Sequence, residues 1–141
     1  MGITYDTDDL NSLALVAWKE ARGEGQEGMQ AVMHVIVNRV GHPGFSSTIH
    51  NCIYGKNQFT SMSVPSDPEF SLEPGAMDSQ YTYCVSIAPS VLGGTDVDVT
   101  NNAHYYADLK YTTSGWFFDV IVGNPVNHPQ VAVIGRHTFF L

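Results

Sequence analysis

Leu13-Ala14-Leu15-Val16-Ala17-Trp18-Lys19-Glu20-Ala21-Arg22-Gly23-Glu24-Gly25 begins as an amphipathic helix and ends in glycines. Leu10, Leu13, Ala14, Ala17 and Ala21 recur at steps of three and four, so the spacing predicts a helix from about Asp9 to Arg22, with Thr7, Asp8 and Asp9 as N-cap candidates. Gly23, Gly25 and Gly28 then punctuate the chain. Met29 to Val40 is apolar nearly all round until Gly41 and Pro43, which reads as a second helix buried on most sides. Glu20 is the unusual residue of the first helix. An acid beside Trp18 and Ala21 loses solvation of its charged form and can hold a proton near neutral pH, the profile of a glycosidase general acid. The competing reading places Glu20 on the wet face, paired with Arg22 or Lys19, with no chemical role.

Further along, Ser46 or Ser47 can cap a short helix from Thr48 to Tyr54, and Asn57 to Pro74 reads as a long polar loop of the kind that carries function. Pro74 opens a fourth helical stretch through Met77, Tyr81, Cys84, Val85 and Ala88, with a break at Pro89 and an end at Gly93-Gly94. After Thr95 the pattern changes. Ala103 to Tyr106, Trp116 to Val122 and Val131 to Leu141 are rich in aromatic and β-branched residues and predict strands. The expected class is therefore α+β, a mainly helical body with a small antiparallel β appendage in the C-terminal third, forming one domain over residues 1–141.

Fourteen acids against six bases give a formal charge of −8, which repels nucleic acid phosphate and anionic lipid at long range. Neither nucleic acid nor membrane is an expected partner. Cys52 and Cys84 have no CxxC spacing and read as free, buried thiols. The six histidines show no HExxH or His-x-x-x-His spacing, so no metal or other cofactor is expected, and no Gly-x-Ser-x-Gly elbow supplies a serine nucleophile. Cys52 sits on an apolar face with Ile49 and Ile53, where thiols are inert. The acidic start from Met1 to Asp9 is unlike a secretory signal, and Met1-Gly2 lacks the Ser or Thr of a myristoylation site because Asp6 stands there.

The stretch Leu13 to Glu24, with Gly28-Met29-Gln30-Ala31-Val32 and Val35-Ile36-Val37-Asn38-Arg39-Val40, resembles the opening of the SleB-type cell wall hydrolases, the spore-cortex-lytic enzyme family. His42-Pro43-Gly44-Phe45, Asn57-Gln58-Phe59-Thr60, Ala103-His104-Tyr105-Tyr106 and Ile134-Gly135-Arg136-His137-Thr138-Phe139-Phe140 come in the family's order. Gly25 stands where many relatives have Pro, and Lys110 to Gln130 is less typical. The resemblance implies a lysozyme-like fold. It also implies cleavage of the β-1,4 bond between N-acetylmuramic acid and N-acetylglucosamine in peptidoglycan, commonly as a lytic transglycosylase, with Glu20 as the catalytic glutamate and glycan strands as the partner of a monomer. Small size and the missing leader suggest a bacteriophage lysin, held in the host cytoplasm until release or carried on the virion, with an excised piece of a longer bacterial enzyme as the alternative.

Substrate contacts are expected from Gln58, Phe59 and Thr60 in the loop, from Tyr106 as one of two tyrosines alternating across a strand, from His137, and from Glu24 as contact or as positioner of Glu20. Arg22 and Arg39 read equally as structural ion-pair partners, and Asn38 as a group that satisfies buried backbone. The alternatives are a hydrolytic muramidase that uses a second carboxyl, or a non-catalytic peptidoglycan-binding or virion module that keeps the shape.

Overall fold

The computed structural model describes residues 3–141, so the reading of Met1-Gly2 lies outside the described residues. Helix α1, Thr7–Ala21, starts earlier than its apolar pattern suggests because Asp6 is its cap. The Asp6 carboxylate accepts from Asp9 N–H at 2.9 Å and Asp9 returns the bond to Asp6 N–H at 3.0 Å, a reciprocal capping box rather than a cap from Thr7, Asp8 or Asp9. A 3-10 turn at Arg22–Glu24 comes next, and α2, Gly25–Arg39, runs through the middle of the molecule with Met29 and Ala31 to Ile36 all buried. Helix α3 is Ile49–Tyr54, capped by the Thr48 hydroxyl rather than by Ser46 or Ser47.

The loop from 57 to 74 is not structureless, since it holds a short helix α4, Thr60–Ser63. Helix α5, Ser79–Leu92, begins at the Asp78 cap, whose carboxylate accepts from Gln80 and Tyr81 N–H, and Pro74 lies outside it. Helices α1, α2 and α5 pack around Leu13, Val16, Ala17, Met29, Val32, Met33, Ile36, Cys84, Ala88 and Leu92. Cys52 and Cys84 are free and buried on different helices, and burial pushes the Cys84 thiol up to about 12.

Three strands form one antiparallel sheet in the order β1-β3-β2: β1 is Tyr105–Ala107, β2 Gln130–Ile134 and β3 His137–Phe140. Tyr106 pairs with Phe139, and on that face Phe139 packs with Ala31, Val35, Ala103 and Ile134 against α2. The expected strand at Trp116 to Val122 is instead a π-helical turn, Phe117–Val122. A strand would have turned Asp119 to the same side as Phe117 and Ile121. The helical turn buries Phe117 and Ile121 against Phe140 and leaves Asp119 exposed. Among the described residues no helix is long and apolar enough to cross a membrane, and no group of His, Cys, Asp or Glu is arranged to hold a metal.

Candidate active site

Glu20 leaves the last turn of α1 where the helical body meets the sheet, and its two oxygens are held from two sides. Ser61 of α4 donates its hydroxyl to Oε2 at 2.9 Å, and Tyr106 of β1 donates to Oε1 at 2.8 Å. Neither Arg22 nor Lys19 pairs with it. Lys19, itself buried, donates from Nζ to the carbonyls of Ser61 at 3.1 Å and Phe70 at 2.8 Å, which fixes α4 and the loop after it over the end of α1. Arg22 makes a forked pair with Glu69, at 2.5 and 3.1 Å, and lies over the Trp18 ring at 4.4 Å. Both cations next to Glu20 in sequence therefore brace the loop, and the carboxylate faces two neutral hydroxyls.

Burial, followed by the neighbouring Glu20 charge, holds the Tyr106 phenol well above its usual range, so its hydroxyl stays protonated and donates. His137 packs edge-on to Tyr106 with ring centroids 5.0 Å apart, and Phe139 stacks at 5.6 Å. Burial pulls the His137 pKa down, which keeps the imidazole neutral around pH 7, and its Nδ1 is buried with no hydrogen-bond partner among the described residues.

Two hollows of about 310 and 400 Å³ meet at Glu20, Asp108 and His137, which line both, and each is large enough to hold a small ligand. The first continues past Arg22, Glu24, Glu69 and Arg136; the second past Arg39, Asn57, Gln58, Phe59 and Tyr106. The result is an open cleft with the glutamate at its middle. A hollow of similar size, about 410 Å³, lies elsewhere on α1 beside Asp8, Ser12 and Tyr54; the Ser12 and Tyr54 hydroxyls bond each other at 2.9 Å.

The cleft gathers Glu20, Glu24, Gln58, Phe59, Tyr106 and His137, and each stands differently. Gln58 accepts from Arg39 Nη1 at 3.3 Å, and Phe59 is mostly buried in the core. Thr60 does not line the cleft: its hydroxyl donates to Asp67 at 2.6 Å. Asn38 donates to the Ala103 carbonyl and to Asp98, satisfying a buried carbonyl as its sequence position suggests. Ser61, Asp108 and the Lys19 brace carry no distinguishing mark in the sequence; Ser61 is one residue beyond the Asn57-Gln58-Phe59-Thr60 stretch, the nearest signal to it.

Glu24 is fully engaged. Arg136 donates to it from its main-chain N–H at 2.6 Å, from Nε at 2.9 Å and from Nη2 at 2.6 Å, and these bonds hold the Glu24 carboxyl below the usual carboxylate range. A side chain at 135 would strain the backbone, where φ is +58°, and push the Glu24 carboxylate off Arg136, since an added Cβ would stand 2.6 Å from Glu24 Oε1. The clasp ties the β2-β3 turn, and with it the start of β3 at His137, to the 3-10 turn that follows α1. A carboxyl whose folded pKa is depressed stabilises the protein above its unfolded value near 4.3, and that contribution is lost as pH falls through the folded pKa. Glu24→Gln is therefore expected to cost about 1 kcal/mol at neutral pH, the discounted worth of a pair with one exposed partner. The difference from the parent in urea unfolding should be constant above about pH 5 and shrink below about pH 4; a difference unchanged down to pH 3 would refute the clasp's charge.

The chain matches the family model described as cell wall hydrolase over residues 23–140. The spore cortex-lytic enzyme of Oceanobacillus iheyensis is 30% identical over 135 residues, covering 96% of this chain and 42% of the relative; that of Bacillus subtilis is 27% identical over 135 residues, covering 96% and 38%. The chain thus spans less than half the length of these relatives. Among solved structures it resembles the catalytic domain of the germination-specific lytic transglycosylase SleB from Bacillus anthracis, with a TM-score of 0.72, 29% identity and 97% of each chain covered. The catalytic domain of the Bacillus cereus SleB protein gives a TM-score of 0.71 at 29% identity, covering 98% of this chain and 93% of that one.

Proposed function

The chain belongs to the cell wall hydrolase family, and from that premise we propose that it degrades peptidoglycan by cleaving the β-1,4 bond between N-acetylmuramic acid and N-acetylglucosamine as a lytic transglycosylase. The observation that carries this reading is the Glu20 carboxylate held between two neutral hydroxyl donors at the middle of the cleft, while Glu24, the nearest carboxyl in sequence, is bound by Arg136.

With Glu24 engaged by Arg136, the substrate's own hydroxyl can serve as the nucleophile for the one carboxyl at the centre of the cleft. Glu20 in its acid form gives a proton to the leaving glycosidic oxygen as the bond to the muramic anomeric carbon breaks. The muramic C6 hydroxyl then attacks that carbon and returns its proton to Glu20, closing a 1,6-anhydro ring and restoring the acid. Ser61 and Tyr106 fit the two states unequally. Both hydroxyls donate to the carboxylate that exists between the two proton transfers, so the stabilisation is largest when Glu20 has just given up its proton. Lys19 acts through Ser61, holding it in place rather than touching substrate.

Asp108 favours a second reading. It lines both halves of the cleft, and among the described residues its side chain accepts one hydrogen bond, from Lys110 N–H to Oδ1, so it could activate a water and make the enzyme a hydrolytic muramidase. Single-turnover rates on purified sacculi test the main proposal. Tyr106→Phe and Ser61→Ala are each expected to lower the rate about tenfold with little change in sacculus binding, as expected for donors that act mainly in the transition state. Parental rates in both variants would remove the proposal's electrostatic basis.

A further inference from the structure

Exposed aromatic surface is concentrated in one place. Among the described residues Tyr5, Tyr111, Trp116 and Phe118 are the exposed aromatics, and three of the four lie between residues 111 and 118. The cause is local: the π-helical turn sends Phe117 and Ile121 inward onto Phe140, so their neighbours Trp116 and Phe118 must face out. Trp116 keeps 57% of its surface in water, and its indole N–H makes no hydrogen bond to any described residue, unlike that of Trp18, which donates to Asp78. A ring this size left bare next to a cleft is an unusual use of apolar surface.

Trp116 lines neither hollow itself and is joined to the cleft through its neighbours. Its ring lies 6.3 Å from that of Tyr105, and Tyr105 in turn lies 5.7 Å from Phe45 and 5.8 Å from the Arg39 guanidinium, which lines the half of the cleft containing Gln58 and Asn57. Thr112, on the same segment as Trp116, lines that half as well. The segment that carries Trp116 therefore contributes Thr112 to the wall of the cleft on the Arg39 side and sets Trp116 beside Tyr105.

We infer that Trp116, with Tyr105 beside it, forms a distal subsite for an N-acetylhexosamine of the glycan strand, outside the pair of sugars that flank the cleaved bond. A pyranose offers an apolar face of C–H groups to a ring and a polar rim of hydroxyl and acetamido groups to a donor such as the free indole N–H. The occupant is the same strand that enters the cleft, because Thr112 of the Trp116 segment lines the cleft and Tyr105 lies between Trp116 and Arg39. This inference rests on the reading of the cleft as a glycan site.

Calorimetric titration of Glu20→Gln, which removes turnover, with chitobiose and with chitohexaose tests it. Adding Trp116→Ala to that background should raise the Kd for chitohexaose about tenfold, by loss of one stacked ring, and leave the Kd for chitobiose unchanged. Chitohexaose should also shift the emission of the Glu20→Gln protein, and the shift should vanish with Trp116, since Trp18 is buried. Equal Kd values with and without Trp116, or absence of saturable binding by chitohexaose, would overturn the subsite. Loss of Glu20 dependence in sacculus cleavage would instead overturn the proposed function, so the two failures are separable.

Discussion

Glu20→Gln is expected to lower the rate of fragment release from sacculi by about a thousandfold or more while leaving the protein folded. The side chains are the same size, and the amide keeps one acceptor oxygen for one of the two hydroxyls that bond Glu20. The other hydroxyl can reverse and accept from the amide NH₂, so Ser61 and Tyr106 both stay satisfied. Thermal unfolding should therefore stay within a few degrees of the parent. What the amide cannot do is deliver a proton to the leaving oxygen or take one from the attacking hydroxyl. A single substitution thus separates chemistry from structure, and a rate within tenfold of the parent would remove Glu20 from the mechanism.

The second large effect is on stability, with activity changing alongside it. Phe139 is fully buried, packs with Ala31, Val35, Ala103 and Ile134, and stacks on Tyr106. Phe139→Ala would leave a hole between the sheet and α2 and is expected to cost about 3–5 kcal/mol, a large share of the stability of a domain this size. The same ring backs Tyr106, so the Tyr106 hydroxyl should lose its fixed place on Glu20 and the rate should fall even under conditions where the variant is folded. Urea unfolding measures the first part and turnover at low temperature the second. Phe139→Leu, which refills much of the volume, should recover most of the stability and only part of the rate. A Phe139→Ala protein as stable as the parent would contradict this packing of the sheet on α2.

Much of this arrangement can be read along the chain because it is local. The period of Leu10, Leu13, Ala14 and Ala17 and the near-continuous apolar run of α2 announce the helices, and the acid late in α1 marks the site. Cap positions are harder, since several Ser, Thr and Asp residues precede each helix and the one that closes the cap is chosen by backbone geometry; Asp6 and Thr48 prevail over their neighbours for that reason. The segment Trp116 to Val122 reads as a strand because β-branched and aromatic residues dominate it, whereas the need to bury Phe117 and Ile121 without Asp119 makes it helical.

The partners of the site are long-range and carry no local signal. Tyr106 is 86 residues from Glu20 and Arg136 is 112 from Glu24, and nothing near Glu24 reveals that an arginine will occupy both of its oxygens. Strand alternation together with the family resemblance brings Tyr106 into consideration, and the resemblance brings His137. Asp108 escapes both routes, being an ordinary acid at the end of a short strand until the fold sets it in the cleft with Glu20.

In the proposed mechanism one glutamate works with the substrate's own hydroxyl, and the mass of the product records whether it does. Mass spectrometry of the fragments released from sacculi by the parent protein, alongside Glu20→Gln, is the decisive experiment. Transglycosylation predicts muropeptides lighter by one water than their hydrolysed counterparts, released by the parent and not by the variant. Fragments of full hydrolysed mass would contradict it and point to water activated by a second carboxyl, with Asp108 the first residue to replace.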